Sequence, residues 1–116
     1  MSPAGDVPRR AVRPVPELTR VASVSDIPAG TLKGVMAKMQ PLVLANVDGD
    51  IYALEDRCSH QEFPLADGEL DGSDLVCLHH GARFDARSGK NRGLPAVRPV
   101  KVFPVQVRGG DIYVEL

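Results

Sequence analysis

"PLVLANVDGDIYALED", residues 41–56, decides the fold class. Two short runs rich in Val, Leu and Ile meet at Asp48 and Gly49, and an Asp-Gly pair between apolar runs is the signature of a tight two-residue hairpin. The same texture recurs on both sides. "LTRVAS" (18–23), "LKGVMAKM" (32–39), "DLVCL" (74–78), "ARFDA" (82–86), "VKVFPVQV" (100–107) and "DIYVEL" (111–116) all have the length and residue types of β-strands. "RGGDI" at 108–112 marks a second hairpin. Helical periodicity is absent apart from one turn expected in "SDIPAG" (25–30), with Ser25 as its cap. The expectation is an all-β domain without internal repeats. Met36 and Met39 are expected to pack within a strand, and Tyr52 and Tyr113 to sit at the edge of the core.

With 116 residues, the chain fits one small domain. A net charge of −1, without a basic stripe interleaved with aromatics, argues against nucleic-acid binding. No apolar run approaches the length of a membrane span, and the arginine-containing start lacks the apolar stretch of a signal peptide, so a soluble cytoplasmic protein is expected. Residues 1–16 hold four of the ten prolines and no bulky core former. They are read as a disordered or loosely packed tail, which leaves 17–116 as the folded domain. Two cysteines are too few for a disulfide framework.

A middle segment, roughly 57–98, has a different composition. It contains both cysteines, all three histidines and five of the eleven glycines. Cys58 and His60 are one residue apart, Cys77 is followed by His79 and His80, and sixteen residues separate His60 from Cys77. Each cluster offers one thiolate and one imidazole. Structural zinc sites more often pair like with like in each half, whereas a two-iron cluster can place both thiolates on one iron and both imidazoles on the other. Spacing alone leaves His79 and His80 both eligible. The acidic residues Asp67, Glu69, Asp71 and Asp74 read as a solvated hairpin, and Pro95 as part of a covering loop.

"CSHQEFPLADGEL" followed by "VCLHHGARFDARSGKNRGLPAVRPVKVFPVQV" resembles the Rieske-type [2Fe–2S] ferredoxins of bacterial aromatic-ring-hydroxylating dioxygenase systems, over roughly residues 18–116. The likeness extends past the ligands to Pro64–Gly68, to Phe84, Asp85, Ser88 and Gly89, and to "LPAVRPV" at 94–100. It implies an antiparallel β-sandwich base with an inserted, loop-rich cluster-binding subdomain. It also implies one [2Fe–2S] cluster per chain, with Cys58 and Cys77 on the inner iron and His60 and His80 on the outer. His80 is preferred to His79 because it directly precedes Gly81. Leu78 stands where the family usually has proline. In high-potential relatives, cysteines bridge the two loops, and hydroxyls of a serine and a tyrosine donate to the cluster sulfurs. Those places here are Phe63 with His79, and Ala82 with Phe84, which implies a potential near the low end of the Rieske range, about −150 mV.

Function follows from the same inventory. No histidine remains for a mononuclear iron site, and there is no glycine-rich dinucleotide fingerprint. The resemblance implies a one-electron carrier and not an enzyme, a monomer receiving electrons from a flavin-dependent ferredoxin reductase and passing them to a terminal oxygenase. Alternatives are a small Rieske-like subunit of another redox enzyme such as nitrite reductase, or a zinc-stabilised binding module.

Overall fold

The computed structural model describes residues 17–57, 64–78, 81–92 and 98–116. The tail read at 1–16 lies outside them. Ten strands follow in chain order: β1 (Leu18–Ser23), β2 (Leu32–Ala37), β3 (Gln40–Val47), β4 (Asp50–Glu55), β5 (Glu69–Asp71), β6 (Asp74–Val76), β7 (Arg83–Asp85), β8 (Val102–Phe103), β9 (Val105–Arg108) and β10 (Asp111–Glu115). They form three sheets, β1-β10-β9, β2-β3-β4-β8 and β5-β6-β7, and every pairing is antiparallel.

The middle sheet is buried on both faces at β3. Successive side chains of a strand point to opposite sides. Leu42 and Leu44, with Ile51 and Ala53 of β4, therefore face the first sheet and pack with Ala22, Ile27, Ile112 and Val114. Val43, Ala45, Val47 and Leu54 face the other way, onto Leu65, Leu75, Cys77, Ala82, Phe84, Ala86 and Val100. Hence the run at 41–47 is continuously apolar instead of alternating. Its single polar member, Asn46, is buried but satisfied: its amide donates to the Ile27 carbonyl at 2.7 Å and accepts from the Gly49 N–H at 2.8 Å.

Both expected hairpins form. Asp48 and Gly49 have φ of 53° and 97°, and Gly109 and Gly110 have 58° and 85°, as two-residue turns compatible with strand twist require. A third such turn escaped the sequence reading, which carried β2 through to Met39. The chain instead reverses at Lys38 and Met39, with φ of 50° and 64°, so that Ala37 faces Gln40. No glycine marks it. Met36 and Met39 are consequently not strand packing: they are 67% and 92% exposed, Met36 outward from an edge strand and Met39 at the turn tip. The tyrosines are half-buried, as expected.

"VKVFPVQV" is likewise two strands. Pro104 has no N–H to continue a ladder, and the chain passes there from β8 in the middle sheet to β9 in the first. The turn at 24–26 is a 3₁₀ turn capped by Ser23, not Ser25; the Ser23 N–H donates to the Asp26 carboxylate at 3.1 Å, a bond available only to the residue just before the turn. The inserted segment is also less purely loop than its glycines suggested. It carries the three-residue strands β5, β6 and β7; β6 and β7 fall within the runs expected at 74–78 and 82–86, and β5 and β6 form the hairpin read from the acidic stretch.

Candidate metal centre

Cys77 directly follows β6. Its N–H donates to the Ala82 carbonyl at 2.7 Å and its carbonyl accepts from the Gly81 N–H at 3.0 Å, so the main chain closes the turn between β6 and β7 on itself. Gly81 has φ of 71°, a conformation that favours glycine. The thiol side of this turn is directed inward: Cys77 is 2% exposed, in one core with Leu65, Ala82 and Phe84, while the next residue, Leu78, is 66% exposed. A buried thiol at the head of a rigid turn suits a soft metal ion, which binds the thiolate.

Cys58, His60 and His80 lie outside the described residues, as do Phe63, His79 and Pro95. The first segment leaves after Asp56, whose Oδ1 accepts the Ala66 N–H at 2.8 Å across the loop. Burial pushes the Asp56 carboxyl above the usual carboxylate range, opposed by the hydrogen bonds from the Ala66 and Leu65 N–H groups. Just beyond, Gly68 passes so close to β6 that a Cβ there would lie 1.9 Å from the Val76 carbonyl oxygen, one residue before Cys77. A third segment leaves after Arg92, whose N–H donates to the Arg83 carbonyl at 2.9 Å, and returns to Val100, whose N–H donates to the Gly89 carbonyl at 2.9 Å. Arg83 pairs with Val76 in register, so Cys77, Ala82 and Arg92 lie at one end of the small sheet.

Charged side chains lock this sheet from outside. Asp74 on β6 accepts from Arg92 Nε at 2.7 Å and from Arg83 Nε at 3.4 Å, and Arg83 also pairs with Asp71. Hydrogen bonds to Asp71 and then Asp74 hold the Arg83 guanidinium above its ordinary value. Of the acidic residues of this stretch, Asp71 and Asp74 are engaged within the sheet, while Asp67 and Glu69 are exposed. Asp85 caps the turn after β7, taking the Ser88 hydroxyl at 2.8 Å and the Arg87 N–H at 3.2 Å. Gly89 completes that turn, since a Cβ there would meet the Val100 carbonyl oxygen at 2.2 Å. The sequence reading missed Asp56 and took Asp74 only as part of a solvated hairpin; no local pattern marks the role of either, because their partners lie ten residues away at Ala66 and eighteen away at Arg92.

Residues 17–104 match the family model described as the Rieske [2Fe-2S] domain. The chain belongs to the Rieske [2Fe–2S] domain family. Its cofactor is accordingly a [2Fe–2S] cluster, and Cys77, buried at the head of its turn, fits as one of the cysteine donors such a cluster needs. This Rieske chain is 34% identical over 99 residues to the ferredoxin component of biphenyl 2,3-dioxygenase from Rhodococcus jostii, a match covering 85% of this chain and 92% of that one. It superposes on a ferredoxin from Sphingomonas yanoikuyae with a TM-score of 0.82 at 30% identity, covering 86% of this chain and 99% of the other. A chain from a complex of reduced oxygenase and oxidised ferredoxin in carbazole 1,9a-dioxygenase gives a TM-score of 0.79 at 33% identity, covering 84% and 92%. Among the described residues no helix is long and apolar enough to cross a membrane.

Proposed function

We propose that this protein is the ferredoxin of an aromatic-ring-hydroxylating dioxygenase system, accepting single electrons from a flavin-dependent ferredoxin reductase and delivering them to a terminal oxygenase. The observation that carries the reading is the Cys77 turn, a buried thiol presented by a self-closed loop in a chain whose relatives are named as ferredoxin components. The bound cluster supplies reversible one-electron reduction. In this reading Cys58 and Cys77 hold the inner iron and His60 and His80 the outer. Folded residues 17–116 form one Rieske domain, with the cluster-binding part at 57–98, acting as a monomer in the bacterial cytoplasm.

An absorption and electron paramagnetic resonance spectrum of the dithionite-reduced protein, with iron and sulfide counts, tests the cofactor assignment. The expected result is a Rieske signature with iron and sulfide in equal amounts; a colourless, silent, zinc-bearing protein would overturn it. His80→Ala should abolish cluster assembly while His79→Ala leaves the spectrum intact, and the opposite result would move the ligand role to His79. Reduction by a ferredoxin reductase, followed by reoxidation by a terminal oxygenase, tests the partners; a reduced protein that no such oxygenase reoxidises would remove the delivery step.

A further inference from the structure

We propose that Asp56 is the positioning residue of the first ligand loop. Its carboxylate, placed at the end of the base just ahead of the loop, caps the 3₁₀ turn that ends the loop, and so fixes the span from which Cys58 and His60 are presented. The inference rests on the assignment of those two residues as ligands.

Four observations carry it. The turn Leu65–Asp67 follows Pro64, which has no side-chain acceptor and gives no capping hydrogen bond, so the first N–H groups of the turn lack the usual local partner. Asp56 supplies it from ten residues upstream: Oδ1 takes the Ala66 N–H at 2.8 Å, and the Leu65 N–H also bonds to the carboxylate. Asp56 is itself anchored, since its own N–H donates to the Pro41 carbonyl of β3 at 3.2 Å. Finally, β2 presses on the clasp. A Cβ at Gly34 would lie 3.0 Å from the Ala66 Cβ and 3.4 Å from Asp56 Oδ2, so the strand and the clasp touch with no side chain between them.

In the second ligand loop, by contrast, main-chain bonds join Cys77 to Gly81 and Ala82. One loop is therefore held by a side chain that substitution can remove, and the other by backbone. The bond is part-buried, so an N–H that loses its acceptor there is costly to the extent that water does not replace it.

The test uses the full-length, cluster-loaded protein. Asp56→Ala should accelerate chelator-driven bleaching of the cluster on the order of tenfold. It should also shift the g-values of the reduced cluster and raise hydrogen exchange in a peptide spanning 57–66 relative to one spanning 77–86. Asp56→Asn, which keeps an oxygen for the Ala66 N–H, should recover most of the parent behaviour, and Asp67→Ala, an exposed carboxylate on the same turn, should match the parent. If Asp56→Ala does not accumulate in folded form, Gly34→Ala, which adds one methyl against the clasp, should give the same signature in weaker form. A lower melting temperature with bleaching rate and g-values unchanged would overturn the proposal, as would a Gly34→Ala variant indistinguishable from the parent. A parent protein without the Rieske signature would overturn the ligand reading itself; a normal parent with a normal Asp56→Ala variant overturns this inference alone.

Discussion

The base and the insert of this molecule are stabilised by different means. In the base, β3 pairs with β2 and β4 over ladders of six residue pairs each, and a Cβ at the turn glycines Gly49, Gly109 and Gly110 would face open space. Among the described residues of the insert no strand exceeds three residues, and order comes from side chains and close approaches: the Asp56 clasp, the Asp74 bridge between Arg83 and Arg92, the Asp85 cap, and Gly68 and Gly89 against opposing carbonyls. Long ladders distribute stability, so that any one turn matters little. A small sheet built around single contacts concentrates it, and it does so where a cluster must be held in one geometry.

The contrast is sharpest at glycine. Gly68→Ala must push a methyl into the Val76 carbonyl, next to Cys77, and should destabilise the protein by about 3 kcal/mol or more with loss of bound iron. Gly110→Ala, in a base turn with nothing within 4 Å, strains only its backbone and should cost about 1 kcal/mol with iron content unchanged. Thermal unfolding and iron analysis of the two variants check this; equal losses in both would erase the distinction.

A smaller effect should appear in the potential. Ala82 and Phe84 are fully buried in the core that contains Cys77 and carry no hydroxyl. Ala82→Ser and Phe84→Tyr, separately and together, should raise the reduction potential by tens of millivolts, because only the difference in a hydrogen bond between oxidised and reduced states counts and 59 mV is about a tenfold change for one electron. Tyr113→Phe in the base should leave it unmoved. Protein-film voltammetry decides, and a double variant at the parent potential would mean these side chains do not set the redox poise.

The smallest expected effect is in pH dependence. Burial tends to raise the Asp85 carboxyl, but hydrogen bonds from Ser88 and the Arg87 N–H and the charges of Arg92 and Arg87 outweigh it and hold it below its ordinary value. A carboxyl depressed in the folded state contributes stability above its unfolded value, about 3.9, and loses it as pH falls through the folded one. Between pH 6 and pH 3 the parent should therefore lose more stability than Asp85→Asn. Parallel melting curves for the two proteins across that interval would show that the cap carries no linked proton.

Much of this division was legible in the chain. Asp48-Gly49 and Gly109-Gly110 between apolar runs specify hairpins, because those residues reach the required positive φ at least cost, and the hairpins fix the all-β class. Cys58, His60, Cys77 and the two following histidines define the candidate ligands by residue type and spacing, and the match over residues 17–104 bears out the family that they suggested. Tertiary structure decided the rest. The turn at Lys38 and Met39 is imposed by the pairing of β2 with β3 against local preference, which leaves two methionines in solvent. Pro104 permits a break between strands, but only the two cores determine that β8 and β9 join different sheets. Asp56 became a clasp because folding brings Ala66 and Gly34 to it; its own neighbours in sequence do not mark it. Local pattern encodes backbone conformation and chemical type, whereas contacts between residues distant along the chain exist only once the sheets have packed.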